Sequence, residues 1–141
     1  MRKTVTTLFA AIVLTAVSSL AQAAAIDDVD SYILQARAYL LAMMDATNKA
    51  ALDKQGAFVV EASQKADVAL VTAMADPAQA ANTAKLKEIQ SIWDQFKATR
   101  DQEIIPALYA DDPAKAKGLA AGIQADRFRK ITGLLIELRK K

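Results

Sequence analysis

Two arginines stand where apolar side chains are expected. On a helical wheel of about 100° per residue, Leu86, Ile89, Trp93, Phe96, Ile104 and Ala107 share one stripe, with Arg100 near its centre. Ala116, Ala120, Ile123, Ile131, Leu134 and Leu138 share a second stripe, with Arg127 near its centre. A guanidinium offers paired donors to a carboxylate, and a threonine hydroxyl can add one more hydrogen bond. Thr47 falls on the inward stripe of the first predicted helix, near the expected level of Arg100, with Met43 and Met44 one turn below. Arg100, Arg127 and Thr47 are therefore the candidate ligand-binding residues, and a small carboxylate is the ligand their chemistry fits. The nearest acids, Asp45 and Asp101, fall off or at the edge of the inward stripes, so no partner carboxylate is obvious. A second reading stays open, in which the arginines lie along the helix seam, send their heads to solvent or pair with Glu103.

Other chemistry is scarce. The chain has no histidine and no cysteine, which removes disulfides, thiolate metal sites, the usual haem and zinc ligands and the usual partner of a catalytic serine. The carboxylate pairs Asp27-Asp28 and Asp111-Asp112 stand at helix starts and serve as caps, and no nucleophile stands near a base. No enzyme activity, metal site or cofactor is expected, and no glycine-rich phosphate loop is present. Trp93 and Phe96 read as core wedges and the methionines as fillers of core gaps. Ile105 and Leu135 lie at stripe edges and suit ordinary packing better than a dimer seam.

The elements that must hold these residues are helices. Of the 141 residues, 53% are apolar but only 6% aromatic, with four glycines and three prolines, which suits close helix packing on small side chains. Met1-Arg2-Lys3, the apolar run Leu8 to Val17 and Ala21-Gln22-Ala23 predict a signal peptide over residues 1–23, with cleavage at Ala25 as the alternative. The remaining domain, 24–141, is then periplasmic. An uncleaved N-terminal anchor is the other localisation, and no span follows it. Without Arg2 and Lys3, 16 basic and 16 acidic side chains remain, so charge offers nothing to nucleic acid. The charge is unevenly spread. Ala24 to Asp76 carries four bases and eight acids, and Pro77 to Lys141 carries twelve bases and eight acids.

The spacing predicts a first helix from Asp27 to about Lys54, an exit at Gly56 and a second helix over Phe58, Ala62, Ala66, Ala69 and Ala73. One long bent helix from Asp27 to Ala75 is the alternative. Asp76-Pro77 and Asp112-Pro113 are paired start signals, so a third helix runs from Pro77 to Tyr109 and a fourth from Pro113 to the C-terminal cations. Pro106 removes one helical hydrogen bond and predicts a loosened or ended last turn. Short connections make neighbours antiparallel. The expected fold is all-α: an antiparallel up-down-up-down four-helix bundle preceded by a signal peptide.

The string IWDQFKATRDQEIIPALYADDPAKAKGLAAGIQADRFRKITGLL resembles the four-helix-bundle sensor domain of methyl-accepting chemotaxis receptors. The likeness lies in Trp93 and Phe96 before Arg100-Asp101, the helix end Ile104-Ile105-Pro106, the turn Asp111-Asp112, and Ala116 to Gly122 leading into Gln124 and Arg127. It covers about one third of the chain, and the first two helices fit by length and position only. The resemblance implies periplasmic placement, a dimer and small-molecule sensing between helices. Amino-acid receptors of that family bind carboxylates through inward arginines and a threonine, although Thr47 is not matched position by position. Such receptors continue through a second membrane span, whereas this chain stops at Lys141. The expected function is therefore a freestanding sensor-type domain that binds a small anion or pairs with a membrane chemoreceptor in signal transduction. The alternative is a bundle without a ligand that dimerises or docks to another helical protein.

Overall fold

The structure, a computed structural model, describes residues 8–140, and side chains from residue 23 onward. The basic start of the predicted leader lies outside the described residues, as do the side chains of its apolar run. The chain is all-helical, and among the described residues there is no strand. Its helices are α1 (Leu8–Met44), α2 (Lys49–Ala75), α3 (Thr83–Thr99), α4 (Ile105–Tyr109), α5 (Pro113–Ala121) and α6 (Ile123–Arg139). A 3₁₀ turn, Pro77–Asn82, precedes α3, and a π-helical turn, Arg100–Ile104, joins α3 to α4. Four rods result: α1, α2, the run through α3 and α4, and the run through α5 and α6. Among the described residues no helix is long and apolar enough to cross a membrane.

The core follows the helical period. Ile26, Val29, Ile33, Ala36, Leu40 and Met43 of α1 are buried at alternating steps of three and four residues, so one stripe faces inward. From α2 come Val59, Ala62, Ala66, Ala69, Leu70 and Ala73, whose small side chains let α1 pack closely along its length. Leu86, Ile89, Trp93 and Phe96 of α3 complete the interior with Ile131, Leu135 and Leu138 of α6. Trp93 is fully buried and stacks on Phe96 with ring centroids 5.4 Å apart, as expected of core wedges.

Three boundaries differ from those the sequence predicts. The first helix does not start at Asp27; α1 runs unbroken through the alanine-rich stretch before it, where no breaker stands. The turn after it is Asp45–Asn48 and not Gln55-Gly56. Asn48 caps α2, its side chain accepting from the Ala51 amide at 2.8 Å, while Gly56 sits inside α2 against the end of Met43. The predicted fourth helix is broken at Gly122, where a Cβ would come 3.1 Å from the Gly118 carbonyl oxygen. That break shifts the phase of the inward stripe. Ile123, expected inside, is 47% exposed, and Gln124 is buried in its place. Leu135 is fully buried, whereas Leu134 is half-buried.

Candidate functional site

Arg100 is inside, as its stripe predicts, with 4% of its surface exposed. Its surroundings differ from expectation. Pro106 lacks an amide hydrogen and clashes with the carbonyl four residues before it. The helix answers by widening instead of ending: the Ile105 amide bonds the Arg100 carbonyl, a five-residue step. In this wider turn successive side chains lie closer in angle, and Asp101 reaches back beside its neighbour. Arg100 Nε donates to Asp101 Oδ1 at 2.6 Å and Nη2 to Oδ2 at 3.0 Å, a two-pronged ion pair. Nη1 donates to Ser63 Oγ at 2.6 Å, and Ser63 in turn donates to the Val59 carbonyl at 2.7 Å. Each guanidinium nitrogen has a partner within the chain, and the carboxylate that is not obvious in the sequence is Asp101. Glu103, the acid weighed for that role, is exposed.

Arg127 is half-buried on α6 and meets neutral oxygens. Its Nη1 donates to Thr99 Oγ1 at 2.7 Å and to Gln124 Oε1 at 3.2 Å. Gln124 Nε2 donates to the Phe96 carbonyl at 2.9 Å. Ser63, Thr99, Arg100, Gln124 and Arg127 thus form a polar layer between apolar stretches of the interior, and among the described residues no buried side-chain polar atom is left without a partner. The arginines occupy that layer without sharing a partner. Thr47 does not join them. It lies exposed in the turn after α1, on a surface cavity of about 530 Å³ shared with Met43, Met44, Tyr109, Asp111 and Lys117. α1 ends at Met44 instead of about Lys54, about three turns earlier, with Asn48 capping α2, and this takes Thr47 off the helix and out of the inward stripe.

A second polar cluster lies beside the first. Asp67 Oδ1 accepts from Trp93 Nε1 at 2.8 Å and from Lys97 Nζ at 2.7 Å, and Lys97 also pairs with Asp94 at 3.1 Å. Burial disfavours the Lys97 charge, but its hydrogen bonds to Asp67 and Asp94 outweigh it and hold its ammonium above the ordinary lysine value. Ser63 was not singled out by the sequence, and Gln124 was named only in the family likeness, without a role in the site. Ser63 sits next to Ala62 on the alanine stripe and carried a weak signal, whereas Gln124 becomes inward only through the break at Gly122. Among the described residues no group of three or more His, Cys, Asp or Glu side chains could hold a metal ion. Compared with known proteins, the chain matches no protein-family model, no curated protein and no solved structure.

Proposed function

We propose that this chain is a periplasmic, chemoreceptor-type bundle that works in signal transduction by pairing with a second helical chain, either another copy or a membrane chemoreceptor. The arginines then build the bundle. The topology in this reading is antiparallel up-down-up-down. It is supported by the order of contacts, since Lys85 meets Glu137, Lys130 meets Glu88 and Gln124 meets Phe96, one number rising as the other falls. Arg139 likewise returns to Asp27 and Asp30, and the rings of Tyr39 of α1 and Phe58 of α2 meet at a tilt, 5.1 Å between centroids. Periplasmic placement rests on the leader over residues 1–23.

The observation that carries the pairing reading is the closure of Arg100 by Asp101 and Ser63. A carboxylate entering there must displace an ion pair that is already two-pronged, so little differential affinity is left for a ligand. What stays open is surface: Leu34 and Leu41 on α1, Val60, Val68 and Val71 on α2, and Ile123 and Ile136 on α6 are exposed. Thermal unfolding against amino acids, dicarboxylates and other small anions tests this, because a ligand that binds only the native state must raise the midpoint. No saturable shift is expected, and Arg100→Ala should lower stability or assembly. A saturable shift that vanishes in Arg100→Ala would overturn the reading.

Arg127 favours a second reading. Its cation meets no carboxylate among the described residues, only Thr99 and Gln124. A small anion held there would raise the midpoint in the parent and in Arg100→Met but not in Arg127→Ala.

A further inference from the structure

The face of α2 turned away from the core carries a stripe without charge: Ala57, Val60, Gln64, Val68 and Val71, all exposed. The three valines expose 52%, 66% and 57% of their surface. Valine is a weaker helix former than the alanine, glutamate and lysine that usually fill exposed positions, so helix formation does not account for three of them. Counted from Gln64 the positions are −7, −4, 0, +4 and +7, a spacing that reads the same in both directions. Such a stripe is self-complementary about a two-fold axis through its centre, the requirement of an isologous dimer.

Resting on the pairing reading above, we propose that this face of α2 docks, antiparallel, on the same face of a second copy, with the two-fold axis at Gln64. Val60 of each copy then meets Val68 of the other, and Ala57 meets Val71. The two Gln64 side chains meet at the axis, where each amide supplies both a donor and an acceptor to the other. Among the described residues no hydrogen bond engages the Gln64 amide, and its partner at the axis supplies one. An antiparallel two-fold brings like flank to like flank. The flank beside the stripe carries Glu61 and Lys65, paired within the chain at 2.7 Å. The axis sets Glu61 of one copy within one turn of Lys65 of the other, so the flanks are complementary in charge. The stripe is about 21 Å long, which places the contact at the small end of specific interfaces and makes the dimer weak and concentration-dependent.

The chain has no cysteine, so a single introduced thiol reports its own neighbour. In Gln64→Cys, mild oxidation should yield a disulfide-linked dimer at least tenfold faster than in Lys87→Cys on the exposed side of α3. In sedimentation equilibrium the parent should show a monomer–dimer balance. Val68→Lys should weaken it at least tenfold while leaving the helical circular dichroism unchanged and, at concentrations where the parent is monomeric, the unfolding midpoint as well. A dimer that ignores Val68→Lys and does not cross-link through Gln64→Cys overturns the α2 face while the pairing reading stands. A parent that stays monomeric at every concentration overturns the α2 dimer and, with it, pairing between copies.

Discussion

A guanidinium taken out of water is costly unless its partners come with it, and Arg100 brings its partner as the next residue in the chain. The pair is lopsided, because the arginine side chain is 4% exposed and the Asp101 carboxylate 53% exposed. Removing either member therefore has unequal consequences. Arg100→Met leaves a half-solvated aspartate and a methionine that fits the apolar surroundings, at a cost of roughly 1 kcal/mol. Asp101→Ala leaves a buried cation held by one serine hydroxyl. That change costs roughly 2–3 kcal/mol, less than for a fully buried pair because water still reaches the aspartate side. Urea unfolding of the two variants checks the order. Equal losses, or a larger loss in Arg100→Met, would mean that the arginine contributes packing and not a compensated charge.

The rods are set by their ends, and the ends explain which parts of the fold could be read in advance. Asp112-Pro113 starts α5 as predicted, the Asp112 side chain accepting from the Lys115 amide at 3.1 Å. The inward stripes of α1, α2 and α3 were legible because apolar spacing reports which face is buried. Turn positions were less so: Gly56 is the stronger stop signal in sequence, but the Asn48 cap sets the break about two turns of helix earlier. The π turn at Arg100 was not legible, since Pro106 signals that something must give without saying whether the helix ends or widens. The partner of Arg100 was hidden with it. After α4 the chain closes with Asp111 in the left-handed region, φ 57°, while the Asp112 amide bonds the Ala107 carbonyl at 2.9 Å and the Asp111 amide bonds that of Leu108 at 3.3 Å. This is the pattern that glycine usually completes. Asp111→Gly should therefore stabilise the protein by about 0.5–1 kcal/mol in chemical denaturation. Gly122→Ala should do the reverse by about 1–2 kcal/mol, because its methyl meets the Gly118 carbonyl oxygen and that oxygen is held in a helix.

Across the molecule, charge opposes charge. The first half carries the excess acid and the second the excess base, and ion pairs and hydrogen bonds tie them: Arg139 to Asp27 and Asp30, Lys97 to Asp67, and Tyr109 to Asp53 at 2.6 Å. Asp53 gains hydrogen bonds from Lys49 and Tyr109, which hold its carboxyl below the ordinary aspartate value, and Lys85 holds Glu137 below the ordinary glutamate value in the same way. A group whose pKa is depressed by folding stabilises the protein above its unfolded value and loses that contribution as pH falls through the folded one. Tyr109 is shifted the other way, raised first by its bond to Asp53, so its contribution is present below the unfolded value and lost as pH rises through the folded one. The unfolding midpoint should thus be flat near neutrality, fall below about pH 4 and fall again above about pH 10. All three groups are exposed, so each arm is shallow. Tyr109→Phe should flatten the alkaline arm, and Asp53→Asn should flatten it as well while also removing part of the acid arm. If Asp53→Asn shifts the midpoint equally at every pH, the hydrogen bond to Tyr109 contributes packing between the helix ends and not a proton-linked tie.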